Sequence, residues 1–126
     1  MSAPTPALPV DPAHALAVLT EIARGLPGVR ADSQDNPAFL FDGQFLARLH
    51  DHLAVVVVRS AGADREALLA RDPVTFFVTA EYAGADRALV RLGTATRADL
   101  AVAVEAAWRS VAPAHLVRGH DRARAR

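Results

Sequence analysis

The chain contains no cysteine and no lysine. The first absence removes disulfides, zinc–thiolate centres and a cysteine nucleophile, and it agrees with a reducing compartment. The second means that every basic residue is an arginine, whose planar donor fork suits phosphate. The same usage also accompanies the Ala- and Val-rich composition that a GC-rich coding bias produces. No apolar run approaches the ~20 residues of a membrane-spanning helix. The first residues carry no Lys or Arg, and Pro4, Pro6 and Pro9 interrupt them, which argues against a signal peptide. The expected location is cytoplasmic. Catalytic and cofactor motifs are equally scarce. The seven glycines are scattered at turns and form no phosphate-binding loop. None of Ser2, Ser33, Ser60 and Ser110 sits in a Gly-x-Ser-x-Gly elbow. The expectation is a protein that is not an enzyme and holds no cofactor.

What is present suits a single globular domain. The 126 residues are 52% hydrophobic and 22% charged, enough for one core and little more. The 14 arginines balance 14 acids overall, but unevenly. Residues 118–126 hold four arginines (Arg118, Arg122, Arg124, Arg126) and one acid (Asp121), so residues 1–117 keep ten arginines against thirteen acids, a net charge of −3. Nucleic-acid-binding domains draw much of their affinity from a basic footprint. Any such footprint here must be a local patch or the Arg-rich C-terminal segment.

Along the chain, residues 1–10 read as a flexible Pro-rich leader. Asp11-Pro12 opens a helix whose apolar stripe is Leu16, Leu19, Ala23 and Leu26, widened by Val18 and Ile22. Gly25, Pro27 and Gly28 end it, and 32–37 is a polar loop. Three strands follow. Ala38–Phe41 is joined to Gln44–His50 by the hairpin signal Asp42-Gly43. Asp51-His52 then turns the chain into Leu53–Arg59, where Val55–Val58 marks a central strand. A short helix over 65–71 stops at Asp72-Pro73. Strands at 74–79 and 88–92 precede a last helix capped by Thr96 with Asp99 three residues on. That helix carries Leu100, Val104, Ala107, Trp108 and Val111 on its apolar stripe, pairs Glu105 with Arg109 on its exposed side, and bends or breaks at Pro113. The order predicts an α+β fold, α-β(3)-α-β(2)-α. Its antiparallel sheet carries the helices on one face, as a two-layer sandwich over 11–117, with a flexible Arg-rich tail over 118–126.

Strand parity supplies the candidate binding residues. With Phe45, Ala47 and Leu49 turned to the helices, Leu46, Arg48 and His50 face away; Leu89 and Arg91 share the outward side, and Arg59 ends a central strand. A two-layer fold leaves that face open, so Arg48, Arg59 and Arg91 form a candidate cationic patch for a nucleic acid or other ligand, with Tyr82 at its rim. The competing expectation pairs each arginine with a carboxylate such as Asp42, Glu81 or Asp86. His50-Asp51-His52 has metal-ligating residue types, but it falls in a turn and lacks a third ligand at a recognisable spacing, so no metal site is expected.

Several segments together resemble the MmcQ/YjbR family of small bacterial proteins. These are Leu26-Pro-Gly-Val29 closing the first helix, Phe45-Leu-Ala-Arg-Leu49, the run from Arg65 through Tyr82, and Ala107-Trp-Arg109. The resemblance spans roughly residues 15–117. It implies the two-layer fold just described, which secretion chaperones share, and a noncatalytic, DNA-binding role. The alternative it leaves is a protein-interaction module, possibly homodimeric, for which outward Leu46 and Leu89 would serve. Where the family reads Thr-Pro-His-Tyr and then Gly-Tyr-Pro, this chain has Thr79-Ala-Glu-Tyr82 and Gly84-Ala-Asp86, placing two more negative charges at that edge.

Overall fold

The computed structural model describes residues 11–50 and 54–125. The Pro-rich leader, the Asp51-His52 turn, the start of the strand at Leu53 and Arg126 lie outside the described residues. The chain is α+β; its described residues form five helices and one six-stranded, wholly antiparallel open sheet. Its elements are α1 (Pro12–Arg24), β1 (Val29–Ala31), β2 (Ala38–Phe41), β3 (Gln44–Leu49), β4 (Val55–Arg59), α2 (Gly62–Arg71), β5 (Phe76–Phe77), α3 (Ala80–Ala83), β6 (Arg87–Arg91), α4 (Arg97–Val111) and α5 (Ala114–Arg124). In space the strands run β1-β2-β3-β4-β6-β5. The Val-rich β4 therefore lies inside the sheet, and β6 pairs with it before β5 is added at the edge.

Local chemistry explains most boundaries. Pro12 occupies the start of α1, where its missing N–H costs nothing. Asp42 and Gly43 both adopt positive φ, 49° and 77°, the geometry a two-residue hairpin between twisted strands requires. Thr96 and Asp99 form a reciprocal capping box at α4, and Asp99 also accepts from Arg71 Nε at 3.0 Å, tying the end of α2 to the start of α4. Asp72 accepts from the amides of Val74 and Thr75 and from the Thr75 hydroxyl, which shapes the turn into β5.

Four features depart from the sequence expectation. First, β1 is an added strand. Gly28, at φ 78°, turns the chain so that Val29–Ala31 lies along Phe41–Phe39; a Cβ there would meet the Phe41 ring at 2.7 Å. Second, the strand expected at 74–79 shortens to Phe76–Phe77, because Thr79 starts the single helical turn α3. Third, the β2–β3 register shifts between Phe39 and Leu40, so Ala47 pairs with Phe39 while Phe45 pairs with Leu40. This bulge breaks the simple alternation. Leu46, expected outward, is fully buried under the helices, and Phe45, expected inward, packs on the opposite face. Fourth, Pro113 ends α4 but not the ordered chain, and the segment expected as a flexible tail is helix to Arg124.

The main core lies between the helices and the sheet. It joins Ala15, Leu19 and Ala23 of α1 with Leu100, Val104, Ala107 and Trp108 of α4, over Phe39, Leu46, Val56, Val58 and Val90. A smaller cluster, Val55, Val57 and Leu89 with Phe45, Phe77 and Tyr82, lies on the other face.

Helix α5 is held to α4 by apolar and ionic contacts. Leu116 and Val117 pack on the core, and the His120 ring meets Trp108 edge-on with centroids 5.1 Å apart. Nε2 of His120 lies 2.9 Å from Oε1 of Glu105, which also takes Arg124 and Arg109; Arg109 in turn pairs with Asp121. Partial burial works to raise the Glu105 carboxyl, but the hydrogen bonds from His120 and Arg124 and the nearby arginine charges outweigh it. The net position is below the usual value of 4.5. The hydrogen bond from Arg109 lowers Asp121 likewise. Carboxylates lowered in the folded state contribute stability above their unfolded values and lose it as pH falls through their folded ones. Acidification below about pH 4.5 is therefore expected to release α5 from α4. The emission of Trp108, the sole tryptophan, should report that step, and Glu105→Gln should abolish it. An acid-induced change identical in the wild type and in Glu105→Gln would contradict the assignment.

Candidate functional site

Every strand arginine falls on the sheet face opposite α1 and α4, as the pairing register shows. Arg30 stands opposite Leu40, and Leu40 opposite Phe45. Arg48 stands opposite Val57, Val57 opposite Leu89, and Leu89 opposite Phe77. Arg59 lies directly across from Arg87, and Val55 from Arg91. Residues opposed in an antiparallel pair share a face, so Arg30, Arg48, Arg59, Arg87 and Arg91 share this one with Leu40, Phe45, Val57, Leu89 and Phe77. The described strands contain no Asp or Glu.

The aromatics and arginines of this face interleave. The Arg87 guanidinium lies 4.3 Å above the Phe45 ring centroid, and Arg91 stands 4.3 Å above that of Phe77. Arg59 Nε donates to the Phe45 carbonyl at 2.7 Å, and Arg91 Nε to that of Val74 at 3.0 Å. Phe45, Phe77 and Tyr82 pack over Val55, Val57 and Leu89, which are buried on this face although α1 and α4 lie on the other. Among the described residues no carboxylate lies within salt-bridge distance of Arg30, Arg59, Arg87 or Arg91. The alternative that each patch arginine pairs with Asp42, Glu81 or Asp86 is thus not met at Arg59 and Arg91. Like charges directly across two strands disfavour each other. Partial burial and then the charge of Arg59 hold the Arg87 guanidinium below the usual arginine value, with Asp86 and Tyr82 acting the other way.

An open cleft of about 330 Å³ is lined by Phe45, Arg48, His50, Val57, Tyr82 and Arg87. Tyr82 reaches it from α3, and Arg65 of α2 positions that turn by donating to the carbonyls of Ala85 at 2.9 Å, Arg87 at 3.2 Å and Ala83 at 3.5 Å. Glu81 and Asp86 are exposed on α3 and the following turn, at the margin of the face.

The four candidates from the sequence, Arg48, Arg59, Arg91 and Tyr82, are thus brought to one side of the sheet. Arg30 and Arg87 join them. Leu46 and Leu89, the outward apolar residues expected to serve a protein interface, are instead buried, Leu46 in the main core and Leu89 in the small cluster with Phe45, Phe77 and Tyr82. His50 lines the cleft, while His52 lies outside the described residues; among those described, no group of three or more His, Asp or Glu is placed to hold a metal. No described helix is long and apolar enough to cross a membrane. Comparison with protein-family models, with curated proteins and with solved structures gave no match. The fold and the face define an α+β protein with an arginine-rich open sheet surface.

Proposed function

We propose that this chain is a noncatalytic, MmcQ/YjbR-like DNA-binding protein that contacts phosphates through its open sheet face. One observation carries the reading: the five arginines of the described strands all lie on that face, and the described strands contain no Asp or Glu. A zero net charge for the whole chain conceals this, because the described acids sit on helices, turns and loops. The interleaved Phe45, Phe77 and Tyr82 add surfaces that bases can meet. Glu81 and Asp86 confine the positive area to the strands. The resemblance in sequence and the underlying α-β-β-β-α-β-β-α order support the family assignment; β1, α3 and α5 are additions to it.

A salt titration of a labelled DNA oligonucleotide tests this. Log affinity should fall linearly with log salt, with a slope of about −3.5 to −4.5 if five phosphates are met. Charge reversal at Arg118 and Arg122, both exposed on α5, should leave the slope unchanged. Absence of binding at low salt, or binding that depends only on those two residues, would sink the proposal.

A further inference from the structure

The geometry of the face restricts what form of nucleic acid it can read. Six strands spaced about 4.8 Å apart make a surface roughly 24 Å across. The major groove of B-DNA is only about 12 Å wide and admits a helix or a two-stranded ribbon, so a sheet face of this width does not fit an undeformed major groove. A strand laid across the sheet meets no such limit. Arg87 and Arg91 are each backed by a ring, lie four residues apart on β6 and therefore stand roughly 13 Å apart along the strand. The ring contact holds each guanidinium in place beside an aromatic surface, and aromatic rings stack unpaired bases. Between them and β3, the cleft of about 330 Å³ combines two aromatics with Arg48 and Arg87, at the small end of the ~300–1,000 Å³ range of ligand sites.

Resting on the nucleic-acid reading above, we infer that the ligand is single-stranded, with one unpaired base entering the cleft against Phe45 and Tyr82 while Arg48 and Arg87 hold the adjoining phosphates. DNA and RNA single strands share this chemistry, and separate arms of the test distinguish them.

The test compares three labelled probes at one low salt concentration: an oligo-dT, an oligo-U and a DNA duplex, each of about 12 nucleotides or base pairs. At least one single strand should bind about tenfold or more tightly than the duplex. Tyr82→Leu, which keeps apolar cover over Val57 and Leu89, should weaken single-strand binding by about tenfold and leave duplex binding unchanged. Because Tyr82 is the sole tyrosine, its ring resonances in the wild-type protein should also shift on adding the single strand, a readout that does not depend on the variant folding. Preference for oligo-U alone would uphold the single-strand inference and replace DNA by RNA in the proposed function. Duplex binding equal to single-strand binding, with the Tyr82 ring unmoved, would overturn the inference and leave the phosphate-binding proposal standing. No affinity for any probe would overturn both.

Discussion

Replacing Trp108 by alanine is expected to remove about 3–5 kcal/mol of stability, the range for truncating a large buried aromatic. Trp108 is the largest fully buried side chain and joins three parts of the molecule. Its indole N–H donates to the Pro27 carbonyl at 2.9 Å, its ring receives His120 of α5 edge-on, and its body fills the space between α4 and the sheet. Against the ~5–15 kcal/mol that holds a typical domain folded, the loss leaves little margin. Circular dichroism should record a fall in Tm of roughly 10–20 °C. Trp108→Phe separates the two contributions. It keeps most of the packing but leaves the Pro27 carbonyl without its donor, for about 1–3 kcal/mol. A loss below about 1 kcal/mol for Trp108→Ala would mean that α5 and the Leu26–Val29 turn are not anchored there.

That anchor shows why parts of the fold were legible in the sequence. Leu26-Pro-Gly-Val29 and Ala107-Trp-Arg109 stand far apart in the chain, yet one hydrogen bond joins them. The hairpin at Asp42-Gly43 and the cap at Thr96-Asp99 were readable because each is decided by a few adjacent residues: positive φ in one case, a reciprocal pair of hydrogen bonds in the other. The bulge in β3 was not. Phe45-Leu-Ala-Arg-Leu49 satisfies plain alternation, and only pairing with β2 shows that Leu46 and Ala47 both turn inward. Arg48 kept its predicted side because it lies beyond the irregularity.

Arg87 is within reach of the sequence, since Arg87, Leu89 and Arg91 continue one parity, but the expected strand begins at 88 and the observed one at Arg87. Arg30 belongs to a three-residue edge strand too short to show a period. Helix α5 was obscured by its composition. An Arg-rich terminus reads as solvated, but Leu116, Val117 and His120 have partners only once α4 is in place.

The second large effect concerns binding. The double variant Arg30→Glu, Arg91→Glu is expected to weaken DNA affinity by about 100-fold at low salt. Each arginine–phosphate contact is taken as ~1.5 kcal/mol, or roughly tenfold, and the introduced acids add repulsion. These two positions suit the test because both side chains are exposed, so charge reversal spares the core. They also stand well apart on the face, Arg30 on the edge strand β1 and Arg91 beside Val55 of the interior strand β4. A ligand lying across the sheet meets both, whereas one confined to the cleft meets neither. The salt dependence separates these cases. Loss of two phosphate contacts should flatten the log–log slope by about 1.4 for a single strand and about 1.8 for a duplex. Arg91→Glu also forfeits the stack on Phe77, so unchanged thermal stability is required before the affinity is interpreted. With stability intact, an unchanged slope would confine the ligand to the neighbourhood of Arg48, Arg59 and Arg87, and the contact surface would be the cleft rather than the face.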